Sequence, residues 1–230
     1  MSTKFICSPI TPQEKDILFT AAAKSRRSCN KHLTRKITHR AVSNRIRQLR
    51  LASHPGCSKA RNTHIAALLK TPYGVQAAHL WVLAWAQGTV PQHVANLWLI
   101  GQVKPLSKKS GSGVRPITLF EMLLKLATGV ILDVSKADVI NAVGSFQYGA
   151  LLECGADRMV YNLRAMALAA PHKLFIATDI QNAFGTVNRS TAVGTLLMHL
   201  PSFVPVMSLF WGVSPYVSLH SRLPLLFLPN

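Results

Sequence analysis

Apolar positions recur at helical spacing in several separate stretches of this chain, broken by turn residues and by two short runs that read as strands. Thr11-Pro12-Gln13-Glu14 opens the first helix: Thr to cap, Pro in the first turn, and Glu placed to close a capping box. That helix is expected to run through Ala21–Ala23 into the basic stretch Lys24–Arg27. Residues 31–50 interleave seven basic side chains with few apolar ones, which predicts a helix or partly ordered arm outside any packed core. Pro55-Gly56, within Ser53–Ser58, predicts a turn. Two apolar-faced helices follow at residues 60–70 and 75–87, the second striped by Val75, Ala78, Trp81 and Trp85. The runs Leu97–Val103 and Val114–Leu119, joined through Lys108–Gly113, predict a β-hairpin with a Gly-rich basic tip. Leu123, Leu124, Ala127 and Ile131 return to helical spacing. Further helices are expected over Asp157–Ala169 and Arg189–Leu200, and Lys173–Asp179 reads as a buried strand ending in a carboxylate. No internal repeat is visible, and the pattern as a whole predicts an α+β fold.

Charge changes this picture most. The chain has 26 Lys and Arg against 8 Asp and Glu, a net +18. Residues 1–61 hold 14 of those bases and 2 of the acids, so the first quarter carries most of the excess. A surface so basic calls for a polyanionic partner, and nucleic acid is the usual one. The basic side chains expected to grip it are Arg26, Arg27, Lys31, Arg35, Lys36, Arg40, Arg45, Arg47 and Arg50. The four cysteines are widely spaced and the opening residues lack a long apolar run, which predicts free thiols in a reducing, intracellular setting, nuclear or cytoplasmic. The apolar stretch from Pro201 to Leu228 is interrupted by Pro205, Pro215 and Pro224, so no membrane span is expected.

Three segments bear on chemistry: KPLSKKSGSGVRPI (104–117), FQYGALLECGADRMVYNLRAM (146–166) and FIATDIQNAFGTVNR (175–189). A strand ending in Asp offers a carboxylate to a divalent cation at the mouth of a sheet. A Lys-bearing hairpin tip followed by Arg can fold over phosphate oxygens, which the Arg fork binds in pairs. In order and spacing the three segments resemble the reverse transcriptase domain of non-LTR retrotransposons, over roughly residues 75–218. The resemblance implies an RNA-directed DNA polymerase that uses Mg²⁺, an RNA or DNA primer–template and deoxynucleoside triphosphates. It implies that Asp179 is a catalytic metal ligand, with the Ile180 carbonyl on the same ion. Asn182 and Ala183 would bring backbone amides to the triphosphate, and Phe184 would pack beneath the sugar. Lys108 or Lys109, together with Arg115, would clamp the nucleotide. Gln147, Gly149 and Gly155-Ala156-Asp157 match a second family pattern that implies packing and template contact. There Cys154 stands where Gly is frequent and Asp157 where Glu is; a turn and helix cap explain Asp157 equally well.

The resemblance also has a limit. The family continues into a strand hairpin bearing Asp-Asp, yet no carboxylate follows Asp179. One carboxylate cannot hold two Mg²⁺ ions that keep most of their water, so the chain is expected to be inactive alone. The expected division is a basic helical region (1–61), a fingers-like region (62–170) and a partial palm with an apolar tail (171–230). Two other functions stay open: a non-catalytic basic RNA- or DNA-binding module, or a decayed retroelement reading frame. Cys29-x2-His32 and His54-x2-Cys57 form a mirrored set that could take zinc, although their order is unusual for it. Trp81, Trp85 and Trp98 fit a core better than a base-stacking platform.

Overall fold

The computed structural model describes residues 11–28, 30–107, 114–144, 147–149, 152–180, 187–211 and 217–218. The helices are α1 (Pro12–Ser28), α2 (Asn30–Lys36), α3 (His39–Arg47), α4 (Asn62–Ala67), α5 (Pro72–Gln87), α6 (Gln92–Trp98), α7 (Met122–Val143), α8 (Gly155–Ala169), α9 (Arg189–His199) and α10 (Val204–Trp211). The strands are β1 (Gly101–Ser107), β2 (Val114–Leu119) and β3 (Val217–Ser218). The fold is therefore α+β, with helices dominant.

Local chemistry explains the boundaries. Thr71 caps α5 by accepting from the Gly74 amide at 3.0 Å, with Pro72 in the first turn. At the other end Gly88 takes the left-handed conformation, φ 63°, and its amide bonds back to the Trp85 carbonyl. Leu97 and Trp98 belong to α6, so the first strand begins at Gly101, later than the apolar run from Leu97 predicted. Pro91 opens that short helix, and Trp98 stacks edge-on against Trp81, a contact that favours helix over strand there. β1 and β2 pair antiparallel as the expected hairpin, from Gln102↔Leu119 to Ser107↔Val114. β3 adds to the other edge of β1 in parallel, giving the order β2-β1-β3.

The core is built on α5. Its Ala78, Val82, Trp85 and Ala86 meet α3, α7 and α10 in one apolar cluster that extends from Leu33 to Leu209. Trp81 donates its indole N–H to the Leu123 carbonyl at 3.1 Å, and Trp85 packs against Trp81 and Phe210. The tryptophans are core residues. A second cluster joins α1 to the last helices through Leu18, Ala22, Val193 and Val204. No single helix among the described residues is long and apolar enough to cross a membrane, and the inward side of α10 is buried in this core.

Two expectations are overturned. Residues 31–50 are not an arm outside the core: Leu33, Ile37, Val42 and Ile46 are all nearly or fully buried. These few apolar residues sit one turn apart, so each short helix presents one narrow stripe inward while its bases point out. The composition hid this, because four well-spaced apolar residues suffice to seat two short helices. The shared core accordingly crosses the compositional boundary at residue 61.

Lys173–Asp179, in turn, is neither a strand nor buried. Leu174 and Ile176 are 85% and 78% exposed, and residues 173–180 have no regular structure. A strand needs a ladder partner, and no described strand lies beside this segment. α8 forms as expected, yet only Gly155 in it is buried, while Met159, Val160, Tyr161, Leu163, Met166 and Leu168 stand exposed. We expect limited proteolysis to cut first within residues 171–180 while residues 30–144 persist as a resistant fragment. Mass spectrometry of the fragments checks this, and early cleavage within α3, α5 or α7 would contradict it.

Candidate nucleic-acid interface and nucleotide site

α2 and α3 hold most of the basic residues. Thr38, between them, caps α3 by accepting from the Ala41 amide at 3.1 Å. Buried Val42 and Ile46 fix one side of α3 against α5 and α7, so the opposite side must face outward. From Lys31 to Arg50 there is no acidic residue. The counter-charges come from α7. Lys36 reaches both oxygens of Asp138 at 3.0 and 2.8 Å, and His32 lies 3.6 Å from the same carboxylate. Arg45 pairs with Asp133 at 3.3 Å, its guanidinium passing so close to Gly129 that a Cβ there would collide with it. The Arg45 Nε is buried without a partner.

The hydrogen bond from Lys36 holds the Asp138 carboxyl below its ordinary range, with partial burial opposing. Its contribution to stability is thus present above the ordinary carboxylate range and lost as pH falls through the depressed value. For so exposed a pair it is worth under about 1 kcal/mol.

Of the predicted grip, Lys36 and Arg45 are therefore tied to carboxylates. Lys31, Arg35, Arg40, Arg47 and Arg50 are exposed, and no carboxylate among the described residues pairs with them. Arg26 and Arg27 lie on α1, with side chains outside the described residues.

The hairpin is rooted firmly. β2 leads through Phe120 to Glu121, which is buried at the start of α7. Its carboxylate accepts from the Ser58 amide at 2.7 Å and the Ser58 hydroxyl at 2.5 Å. Gly56 packs so closely on Glu121 that a Cβ would overlap its backbone. Lys125, one turn along α7, donates to the His54 carbonyl at 3.4 Å; burial pushes its ammonium below the ordinary value, and the Glu121 charge partly offsets this. The turn at residues 54–58 is thereby fastened to the exit of the hairpin. Sequence reading passed over Glu121, Asp133 and Asp138 because they match no motif. Their scarcity was the available signal: in a chain with 8 acids, each buried or paired carboxylate marks a place where charge is needed.

The residues expected to bind nucleotide are only partly described. The Arg115 backbone lies in β2 opposite Leu106, while its side chain, like Lys108 and Lys109, is outside the described residues. Asp179 and Ile180 are exposed on the irregular segment after α8, and Asn182, Ala183 and Phe184 are outside the description. In the second pattern the Gly149 amide donates to the Gln147 side chain at 2.8 Å, and Asn162 donates to the Tyr148 hydroxyl at 2.6 Å. Tyr148 and Asn162 line an open cleft of about 750 Å³ together with Ile140, Asn141, Gly144, Leu152 and Arg158. Cys154 holds a left-handed turn, φ 54°, at the start of α8.

Among the described residues, no three His, Cys, Asp or Glu side chains gather as metal ligands. His32, His54 and Cys57 are therefore not brought together for zinc; His32 faces Asp138, and the Cys57 thiol faces the Ile100 carbonyl. Cys29 lies outside the described residues. Asp179 likewise belongs to no such group among the described residues, and residues 181–186 beside it lie outside them.

Comparison with family models, with curated proteins and with solved structures finds no match to this chain.

Proposed function

We propose that this chain is the nucleic-acid- and nucleotide-gripping portion of a reverse-transcriptase-like polymerase, inactive alone for want of a second carboxylate cluster. The observation that supports it best is the hairpin. The segment KPLSKKSGSGVRPI contributes to both strands of an antiparallel pair, with Lys104 in β1, Arg115 in β2 and the Gly-rich basic stretch joining them. That is the arrangement a fingers hairpin needs to bring cations onto a triphosphate. In this reading residues 174–180 belong to a palm whose remaining strands would cover their exposed apolar side chains and those of the neighbouring α8.

Nucleotide binding tests the proposal. The chain should bind a fluorescent deoxynucleoside triphosphate without incorporating it. Arg115→Ala should weaken that binding about tenfold, the size expected for a charge-assisted phosphate contact. Asp179→Ala should remove whatever Mg²⁺ dependence the binding shows. Triphosphate binding unchanged in Arg115→Ala, or absent from the wild-type chain, would overturn the polymerase reading.

A second reading, a non-catalytic nucleic-acid-binding module, draws on a different observation. The basic helices α2 and α3 are part of the core and present a fixed cationic surface. It requires affinity for nucleic acid to fall steeply with salt whatever becomes of the nucleotide site.

A further inference from the structure

The exposed face of α3 has a more specific composition than a solvated helix needs. Positions 40, 43, 44 and 47 follow the i, i+3, i+4, i+7 spacing that places four residues on one stripe, opposite buried Val42 and Ile46. They are Arg40, Ser43, Asn44 and Arg47; Arg40, Asn44 and Arg47 are exposed and Ser43 is half-buried. Arg47 donates to the Asn44 side-chain oxygen at 3.2 Å, which holds the two polar heads side by side. Arg and Asn are the side chains whose paired donors and acceptors match the major-groove edges of guanine and adenine, and Ser can bond to any base. One class of groove-reading helix contacts bases from this same four-position spacing.

The surroundings suit the task. The stripe is rigid, because the inner side of α3 is in the core, Thr38 caps its start and Asp133 pins Arg45. Asp133 and Asp138 neutralise Arg45 and Lys36 at the flank, which leaves the outward charge to Arg40 and Arg47 on the stripe and to Lys31, Arg35 and Arg50 beside it. Lys31 and Arg35 precede α3 and Arg50 follows it, as phosphate contacts flank a reading helix.

We infer that α3 is a reading helix for B-form duplex DNA, with Arg40, Asn44 and Arg47 directed at base edges in the major groove. This rests on the reading of residues 31–50 as a nucleic-acid grip and narrows it to one partner. Duplex DNA is the favoured form because its major groove is about 12 Å wide and admits a helix of about 10 Å diameter. The major groove of duplex RNA is too deep and narrow for side chains to read, and single strands are gripped through aromatic platforms. No Phe, Tyr or Trp lies between Lys31 and Arg50, and of the two histidines there the His39 ring packs against His79 while His32 faces Asp138. At about 1.5 Å per residue α3 is long enough to cover roughly three or four base pairs.

Fluorescence anisotropy of the full chain with a random-sequence DNA duplex, the corresponding RNA duplex and the single strands tests this, together with selection from a random DNA duplex library. Duplex DNA should bind at least about tenfold more tightly than duplex RNA, and selection should return a motif of roughly three or four base pairs. Arg40→Ala and Arg47→Ala should each weaken binding to the selected site about tenfold, and Asn44→Ala should relax one position of the motif. Arg35→Ala should lower the salt slope by about one and leave the motif intact. All four side chains are exposed, so circular dichroism should show the variants folded. Equal or tighter binding of RNA or single strands, or stripe variants that bind and select like wild type, would overturn the inference while the salt-dependent grip stands. Absence of salt-dependent binding to any nucleic acid would remove the grip and the inference together.

Discussion

Trp85→Ala is expected to cost about 3–5 kcal/mol, because the largest fully buried side chain among the described residues would leave a cavity at the centre of the α5 packing. Trp85 is fully buried and lies where α5 meets α10, against Trp81 and Phe210. Helices on both sides are held by their own contacts and cannot close fully around the missing indole. A loss of this size is a large part of the roughly 5–15 kcal/mol that a domain typically has, so the variant should be substantially unfolded at moderate denaturant. Urea denaturation followed by circular dichroism measures it. Trp85→Phe supplies the contrast. The indole N–H of Trp85 is buried without a partner, and Phe removes that unsatisfied donor while keeping much of the volume. Trp85→Phe should therefore cost under about 1.5 kcal/mol. If both substitutions cost the same, the site is not packed as the structure has it.

The parts of the fold that were legible in the sequence are those whose causes are local. The stripe Val75, Ala78, Trp81 and Trp85 marked α5, although Thr71–Gly74 reads as a break and the helix opens at Pro72, and the Gly-rich joint between two short apolar runs marked the hairpin. Residues 173–179 show the converse. Leu174, Phe175 and Ile176 have the composition of a buried strand, but burial is a property of partners, and none of the described strands supplies one. Residues 31–50 failed in the opposite direction. Seven basic side chains outweighed Leu33, Ile37, Val42 and Ile46 in any average over the segment, although spacing rather than average decides whether a helix can dock.

The candidate site divides in the same way. That residues 31–50 are rich in base was visible at once; which bases are committed internally was not. Lys36 and Arg45 look no different from Arg35 and Arg40 until Asp138 and Asp133, about a hundred positions away in sequence, are brought alongside by the docking of α7 on α2 and α3. Glu121 is a further instance. It sits in the run RPITLFEML without a motif of its own, and its role follows only from Ser58, whose amide and hydroxyl it accepts. Long-range pairing sorts a basic segment into structural and available charge, and composition cannot perform that sorting.

Gly88→Ala is expected to destabilise the fold by about 2–4 kcal/mol, for two reasons that can be separated. The first is backbone conformation: φ of 63° is a left-handed turn, costing an alanine roughly 1–2 kcal/mol, of which a smaller unfolded chain ensemble returns up to about 1. The second is proximity, since a Cβ on Gly88 would overlap the Pro205 carbonyl of α10. That carbonyl is backbone, so relief requires α10 to move. Val204 in α10 belongs to the cluster with Leu18, Ala22 and Val193, and the displacement would therefore loosen α1 as well. Gly88→Asn distinguishes the two reasons. Asn tolerates the left-handed region better than Ala, so it should recover up to about 1 kcal/mol if conformation dominates. If the Pro205 contact dominates, Asn should be no better than Ala, and hydrogen exchange should show α1 and α10 losing protection together while α3 and α7 keep theirs. A Gly88→Ala variant as stable as wild type would mean that α5 and α10 do not approach as closely as this turn requires.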